Sequence, residues 1–582
     1  MSPKNSNETI WGSDVIASAL RETSIPYACL NPGASYRGLH DSLVNFLGNE
    51  NPKILLNLHE EHAIAIAQGY AKACNEPLIA IVHSNVGLMH ATMGIFNAWC
   101  DRVPMVVIGA TGPLDAAIRR PHIDWIHTAA DQGGLIRDYI KWDDQPGSPA
   151  TAVDAIRKGK QIACTPPYGP VYICLDSAVQ EMQLDEWPEF NDIGRYQSPP
   201  PPSAPAGAVE AAAEMLLGAD NPLILAGRMQ RTEVAWEKRV RLVEAIGAKA
   251  VNNSWQEVGF PTNHPLHVKN IAGFFVGGPI REAHEAADVV LSLDWFDLGG
   301  TLNHAWQGGE VKPKVIHCSM DYHLHGGWSK DHGQLAPVDL HVPTTPEAFI
   351  DELLPIVEEA GNGQSHQVIK PEPVGAQAQG PISILDLAQA VRSVMQEDDI
   401  SLISHTIGWP GDEAYYTHPW GYLGNAGGGG LGAGNGNAIG SALAMRDMGL
   451  KYLPLAILGD GDYLMGVNAL WAAAHERIPV LILVANNNSY FNDEMHQEAV
   501  AKKRNRPPEN RWIGQRIDDP EVDICAIAEA QGLQAEGPVE NREDLIPALK
   551  SSIKKVRAGA SLVMEVKVTP EYATSPIHER KS

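Results

Sequence analysis

The stretch "LPLAILGDGDYLMGVNALWAAAHERIPVLILVANNNSY", residues 453–490, contains two apolar strand-like runs on either side of a helix-like segment. The first run ends at Asp460, which has a glycine on each side, and the second ends at a row of asparagines. Continuous apolar strands separated by helices are typical of parallel sheets that are covered on both faces. Since parallel strands end at the same edge of a sheet, we expect Asp460 and Asn487 to lie close together there.

The same alternation of apolar strands and helices extends over the whole chain, for example in "PLIAIVHS", "VPMVVIGAT", "NPLILAG" and "AADVVLSLDW". Two polar stretches interrupt it, residues 185–207 with four consecutive prolines and residues 358–380, and we interpret both as linkers. A chain of 582 residues is also too long for one ordinary core. We therefore predict three consecutive α/β domains, each a doubly wound parallel sheet, at 1–185, 205–355 and 380–582.

Composition excludes several classes of protein. The formal charge of −26 argues against a nucleic-acid partner, and no apolar run approaches the roughly 18 residues of a membrane helix. The N-terminal residues lack the pattern of a signal peptide, so we predict a cytoplasmic protein without a membrane partner. The seven cysteines are scattered without a CxxC pair, which favours buried, reduced thiols over disulfides or a zinc site.

The polar residues at the two strand ends form a set of oxygen donors. A carboxylate, a carboxamide and a nearby carbonyl suit Mg²⁺ or Ca²⁺. A single protein carboxylate leaves Mg²⁺ in need of further anionic oxygens, and a diphosphate would supply them. Taken alone, a GDG sequence is equally compatible with a glycine-rich turn that holds no metal.

The combination is more specific than its parts. Gly459-Asp460-Gly461 followed by "NALWAAAHERIPVLILVANN" resembles the thiamine-diphosphate-dependent decarboxylase and carboligase family, in particular its benzoylformate-decarboxylase-like and acetolactate-synthase-like members. The resemblance implies that Asp460, Asn487 and the main-chain carbonyl of Ser489 hold Mg²⁺ against the diphosphate, with Gly461 beside it. It also implies a pyrimidine-binding domain, a middle domain and a diphosphate-binding domain, in that order. Two residues depart from the family pattern, Asp462 in place of Ser and Asn488 in place of Gly.

Two further segments resemble the parts that hold the cofactor's rings. In "LHEEHAIAIAQGYAKA" (58–73), counting nine residues back from Gly69 selects Glu60 over Glu61 as the carboxylate that bonds N1′ of the aminopyrimidine. In "NAGGGGLGAGNGNAIG" (425–440), the resemblance assigns Leu431 as the apolar support of the bent cofactor and the Gly429 carbonyl as an acceptor for its amino group. The same stretch contains a GxGxxG pattern. We reject a dinucleotide site there because no acidic residue follows at the expected place.

Substrate contacts are expected from the first domain. In "NPGAS" (31–35), the resemblance points to Ser35 as a substrate-contacting residue, and Ala34 fits nearly as well. In "IVHSNVG" (81–87), His83 falls on the family's catalytic histidine, a general acid or base. His496 follows the loop that carries Asn487 and Ser489 (the metal loop), at the place where the family closes its pocket over the substrate. His264 of the middle block could reach the site. For His496 and His264, a solvated surface position is the alternative.

The function implied by this resemblance is cleavage or formation of a C–C bond next to a carbonyl. The leading hypothesis is non-oxidative decarboxylation of a 2-oxo acid with carboligase side activity. An acetolactate-synthase-like carboligase, a lyase that releases no CO₂ and a non-catalytic homologue are the alternatives. In this family the cofactor lies between two subunits, so a homodimer is the minimum and a tetramer is expected. The single glycine in "ILAGRMQRTE" argues against FAD in the middle domain.

Overall fold

The computed structural model describes residues 9–253, 255–269, 276–321, 335–360, 363–370 and 379–571. Each third of the described chain forms one wholly parallel sheet with helices around it, which confirms the prediction of three parallel α/β domains. The outer ends of the predicted first and third domains, 1–8 and 572–582, lie outside the described residues, as do 361–362 and 371–378 of the predicted second linker. Among the described helices, none has the length and apolar character needed to cross a bilayer.

The first domain contains a six-stranded sheet in the order β3-β2-β4-β5-β7-β6 and a separate antiparallel pair, β1 with β8. Its strands are β1 (Ile10–Trp11), β2 (Tyr27–Leu30), β3 (Lys53–Leu56), β4 (Ile79–Ile81), β5 (Met105–Thr111), β6 (Trp142–Asp144), β7 (Pro170–Asp176) and β8 (Gln183–Leu184). Its helices are α1 (Gly12–Glu22), α2 (Arg37–Asp41), α3 (Glu60–Cys74), α4 (Ser84–Cys100), α5 (Ile123–Ile126), α6 (Pro149–Ala163) and α7 (Ser177–Gln180).

The second domain contains a five-stranded sheet in the order β10-β9-β11-β12-β13. Its strands are β9 (Pro222–Ala226), β10 (Lys249–Asn252), β11 (Val289–Leu293), β12 (Lys314–Cys318) and β13 (Leu340–Val342). Its helices are α8 (Ala208–Leu217), α9 (Glu233–Ile246), α10 (Gly278–Ala286), α11 (Leu298–Ala305) and α12 (Pro346–Ala360).

The third domain contains a five-stranded sheet in the order β14-β15-β16-β18-β17. Its strands are β14 (Ile400–Ser404), β15 (Leu453–Gly459), β16 (Val480–Asn486), β17 (Gln534–Val539) and β18 (Ser561–Lys567). Its helices are α13 (Ile384–Glu397), α14 (Gly434–Asp447), α15 (Asp460–Met465), α16 (Leu470–Glu476), α17 (Phe491–Lys503), α18 (Ile524–Ala530) and α19 (Arg542–Arg557).

The central strands explain why the apolar runs in the sequence do not alternate with polar residues. Every residue of β5, β7 and β16 is buried, on both faces of its sheet. A strand covered on both sides by helices has no solvent face, so it requires apolar residues at successive positions.

A close helix crossing joins the first domain to the third. A Cβ on Gly440 of α14 would lie 1.9 Å from the carbonyl oxygen of Ile66 on α3, and one on Gly69 would lie 2.2 Å from the carbonyl oxygen of Asn437. The Ser441 hydroxyl donates a hydrogen bond to the Gly69 carbonyl at 2.9 Å. The two helix backbones therefore touch directly, which only residues without a side chain permit.

Candidate active site

The carboxyl ends of β14, β15 and β16 border a cavity of about 330 Å³ in the third domain. Gly459 of β15 pairs with Ala485 of β16, so the two strands end side by side, as the sequence predicted. All the third-domain residues assigned from the resemblance to the cofactor or its metal line this cavity: Gly429, Leu431, Asp460, Gly461, Asn487 and Ser489.

The predicted metal ligands are held together by one backbone group. The Ser489 N–H lies 3.0 Å from Asp460 Oδ2 and 3.0 Å from Asn487 Oδ1, and both oxygens accept from it. Burial raises the pKa of Asp460 to about 6, although backbone N–H donors such as that of Gly461 oppose the shift. A cation would favour the ionised carboxylate, and hard oxygen donors of this kind suit Mg²⁺.

Other polar atoms of the cavity also fit a polar ligand. The hydroxyl of Ser404 and the carbonyl oxygen of the Asn437 side chain belong to residues that line the cavity, and both atoms are buried without a hydrogen-bond partner in the described chain. Buried polar atoms are costly when they remain unpaired, so a ligand that reaches them would bind more favourably. The residues present therefore fit a diphosphate held through a divalent cation.

The glycine-rich loop before α14 adopts the conformation that its sequence suggests. Gly429 has a φ of +69°, and a Cβ there would meet no atom within 4 Å, so backbone strain and not space favours glycine. Leu431 is 39% exposed and borders the cavity. Asp462, one of the two departures from the family pattern, accepts a hydrogen bond from the Gly432 N–H at 2.6 Å. This hydrogen bond thus holds the loop that carries Leu431 against α15.

A buried glutamate connects the metal loop to the helix that follows it. The Ser489 hydroxyl donates to Glu494 Oε1 at 2.6 Å, and Arg511 and Arg516 each place a guanidinium nitrogen 3.3 Å from the same carboxylate. Glu494 is almost fully buried, whereas His496 on the same helix, α17, is exposed. His496 does not border the cavity within the described chain, and its predicted role stays a prediction.

The first domain presents the predicted substrate-contacting residues at the carboxyl edge of its own sheet. Glu60 begins α3 and is only 4% exposed, whereas Glu61 is half-buried. Ser35 Oγ lies 2.8 Å from His83 Nδ1, while Ala34 is exposed. The structure therefore brings the Ser35 hydroxyl into contact with His83.

Glycine also determines how the loop after β2 approaches the loop after β4. A Cβ on Gly33 would lie 2.4 Å from the Cβ of His83, so any other residue would push the two loops apart. The contact between Ser35 and His83 depends on this close approach. The NPGAS segment thus reaches the site because its third residue has no side chain.

Two histidines that sequence reasoning did not assign lie in the same group. His90 Nδ1 is 3.2 Å from Glu60 Oε2, and the His127 ring centroid is 4.7 Å from that of His83. His90 lies seven residues after His83 along α4, a spacing that places residues on one helix face and could have indicated it. His127 lies in an irregular loop after β5, where no periodic spacing marks it.

The first-domain group does not border the third-domain cavity, although the two domains touch nearby, where Asn97 Oδ1 lies 3.4 Å from the Gly430 nitrogen. Among the described residues, those that border the third-domain cavity come from the third domain and from Trp255 of the second, and none comes from the first. His264 is buried within the second domain, with Nε2 3.3 Å from Glu244 Oε1 and its ring beside Phe260. That contact already occupies the imidazole, and a role for His264 in the site stays a prediction.

A second cavity, of about 450 Å³, lies between the first and second domains and is lined by ion pairs. Arg228 is paired with Asp294 and Asp321, and Arg231 is paired with Glu257. Each of these arginines thus has a carboxylate partner at the cavity. The prediction that the middle domain holds no FAD stays a prediction.

The family models for the three domains of thiamine pyrophosphate (TPP) enzymes match this chain, in the same order along the sequence. The N-terminal TPP binding domain matches residues 10–133, the central domain matches residues 209–350, and the C-terminal TPP binding domain matches residues 409–564. Each matched range lies in the part of the chain that forms one of the three parallel sheets.

The proteins similar to this chain include decarboxylases and acetolactate synthases. Benzoylformate decarboxylase of Pseudomonas aeruginosa is 24% identical over 531 residues, which are 87% of this chain and 90% of that protein. Acetolactate synthase 2 of Nicotiana tabacum is 22% identical over 565 residues, which are 93% of this chain and 80% of that protein. The solved structure of a thiamine-diphosphate-dependent 4-hydroxybenzoylformate decarboxylase of Rhodococcus jostii superposes with a TM-score of 0.76 at 21% identity, covering 96% of this chain and 99% of that one.

Proposed function

The chain belongs to the family of thiamine-diphosphate-dependent enzymes that includes benzoylformate decarboxylase and acetolactate synthase, and we propose that it removes CO₂ from a 2-oxo acid without oxidation. The observation that carries the proposal is the grouping of Glu60, Ser35 and His83 at one sheet edge. Glu60 would hold the aminopyrimidine, while the hydroxyl and imidazole would bind the substrate's oxygens and move the proton that an aldehyde product requires.

The third domain would hold the other end of the cofactor. Asp460, Asn487 and the Ser489 carbonyl would bind Mg²⁺ and through it the diphosphate, with Gly461 beside them, while Gly429 and Leu431 would contact the rings. When bound, thiamine diphosphate supplies a nucleophilic carbon and accepts the electrons of the cleaved bond. The protein's own contribution is orientation, charge and proton transfer.

Because no first-domain residue of the described chain borders the third-domain cavity, we propose that a complete site forms only between two subunits. The minimal unit would be a homodimer in which the first domain of one subunit faces the third domain of the other. A tetramer of two such dimers is the assembly that we expect.

A carboligase that joins two carbonyl compounds is the second candidate. It is favoured by the polar side chains of Asn492 and Asp493, which border the cavity where a decarboxylase for an aromatic substrate would favour apolar residues. Such groups could hold the polar acceptor of a C–C bond-forming reaction.

Substrate conversion separates these candidates. We expect the purified protein, supplied with thiamine diphosphate and Mg²⁺, to release CO₂ and an aldehyde from at least one 2-oxo acid, with benzoylformate and pyruvate tested first. Removal of Mg²⁺ by a chelator should stop the reaction, because the diphosphate would lose its bridge to Asp460. Formation of 2-hydroxy ketones without free aldehyde would favour the carboligase. Bound cofactor with no turnover of any substrate would contradict both.

Mixing two inactive variants tests the shared site. In a heterodimer of Glu60→Gln and Asp460→Ala subunits, one site combines the intact Glu60 of one subunit with the intact Asp460 of the other. Random pairing should therefore restore about 25% of wild-type activity, since half of the dimers are mixed and half of their sites are intact. Each variant alone serves as the inactive control. If the mixture stayed inactive although mixed dimers had formed, the site would lie within one chain.

A further inference from the structure

Four neighbouring strands of the first sheet, β3, β2, β4 and β5, lead to side chains at one edge. The segments after them carry Glu60, Ser35, His83 and His127, in the order of the strands across the sheet. The proposed function uses the first three of these residues. His127 occupies the next position along the same edge and faces His83 with its ring.

The loop holds His127 in a defined position. The Gly112 N–H, at the end of β5, donates to the His127 carbonyl at 3.2 Å, and His127 Nδ1 lies 2.8 Å from the Ile123 carbonyl. The Arg120 guanidinium pairs with Asp124 at 2.8 Å, and Asp124 is buried beneath the turn. Since Nδ1 donates to a carbonyl, Nε2 of His127 is the nitrogen that remains for a substrate.

The contacts around His83 are compatible with a neutral ring that accepts at Nδ1 and donates from Nε2. The Ser84 N–H donates to Ser35 Oγ at 3.2 Å, which leaves the Ser35 hydroxyl hydrogen free for His83 Nδ1 at 2.8 Å. With Nδ1 as acceptor, the neutral imidazole carries its hydrogen on Nε2. His83 can therefore donate a hydrogen bond to a substrate oxygen without being charged.

The two rings are tilted by 46° with centroids 4.7 Å apart, so positive charges on both rings at once would repel each other. Burial lowers the pKa of His83, the neighbouring His127 lowers it further, and Glu60 opposes the shift. The segment that carries His127 also contains Asp115, Arg119, His122 and the Arg120–Asp124 ion pair, and Arg37 acts on Asp124 from α2. These contacts disfavour a second proton on His83.

We propose that His127 is a second catalytic imidazole, which contacts the substrate beside His83 and supplies the proton that completes the product. This inference rests on the proposed function. Decarboxylation of a 2-oxo acid, R–CO–COO⁻, requires one proton to give R–CHO and CO₂. The protonated His127 would give that proton from Nε2 and become neutral, and water would restore it. No oxidant or reductant takes part in this step.

The test compares His127→Asn with His122→Asn, which removes an exposed histidine from the same segment. We expect His127→Asn to bind thiamine diphosphate and Mg²⁺ as the wild type does and to lose kcat by about 100-fold. His122→Asn should leave kcat unchanged. Because a repelling neighbour is removed, NMR of histidine-labelled apoprotein should show His83 titrating at higher pH in His127→Asn, and the acid limb of kcat should shift in the same direction.

The outcomes separate this inference from the proposed function. If the wild type releases CO₂ and His127→Asn keeps wild-type kcat, the role of His127 is wrong while the proposed function stands. An unmoved His83 titration would likewise overturn the pairing of the two rings. A wild type that binds no thiamine diphosphate would overturn the proposed function and this inference with it. Should His127→Asn melt at lower temperature than the wild type, the same comparison is made with His127→Gln.

Discussion

Replacing Glu60 with glutamine should reduce kcat by about 100-fold or more while thiamine diphosphate still binds. Glutamine has nearly the shape of glutamate, and its amide can still hydrogen-bond a ring nitrogen. It cannot exchange a proton with that nitrogen as a carboxylate can, and we expect the reaction to need this exchange. The buried position of Glu60 at the start of α3 leaves little water to take its place.

Glu61→Gln is the matched control, because it changes the next carboxylate on the same turn of α3. We expect this variant to keep most of the wild-type kcat. Cofactor binding would be followed by circular dichroism, and CO₂ release by a coupled assay. Full activity in Glu60→Gln, or a greater loss in Glu61→Gln, would show that the catalytic carboxylate has been assigned to the wrong residue.

Replacing Asp460 with alanine should produce the opposite pattern, with failure of cofactor binding itself. Asp460 supplies the one carboxylate among the proposed metal ligands. It also accepts a hydrogen bond from the Ser489 N–H, which helps to shape the metal loop. We expect the affinity for thiamine diphosphate in the presence of Mg²⁺ to fall by about 100-fold or more, beyond what loss of an outer-shell partner costs. Calorimetric titration of the apoprotein measures this change directly.

Asp544→Ala is the control for Asp460→Ala, since it removes an exposed carboxylate of the same domain that does not border the cavity. Its affinity should equal that of the wild type. Raising the Mg²⁺ concentration should restore part of the binding in Asp460→Ala, because the remaining oxygen donors still attract the ion. Wild-type affinity in Asp460→Ala would contradict the metal assignment.

The parts of the structure that the sequence predicted are those governed by strand order. The closeness of Asp460 and Asn487 follows from two consecutive parallel strands, whose ends must meet at one edge. The three-domain architecture follows in the same way from repeated apolar runs between helices. Both features depend on local patterns that a single sequence displays.

The residues that the sequence did not indicate depend on tertiary contacts. His127 reaches His83 only because the loop after β5 folds back through the Gly112 and Ile123 contacts. Asp462 departs from the family pattern, and its carboxylate accepts a hydrogen bond from the backbone of the glycine-rich loop. Nothing in the spacing of these residues marks such partners, because irregular loops have no period from which a direction can be inferred.

The glycine-lined crossing of α3 and α14 has a consequence for how damaging substitutions would present themselves. Gly440 touches neither the cavity nor Glu60, but α3 begins at Glu60 and α14 follows the loop that carries Leu431. A single methyl group at Gly440 would force the two helices apart and shift the proposed site residues beside both of them at once. In an enzyme assay, a substitution at Gly440 would lower activity as the loss of an active-site side chain does. A lowered melting temperature would distinguish the two.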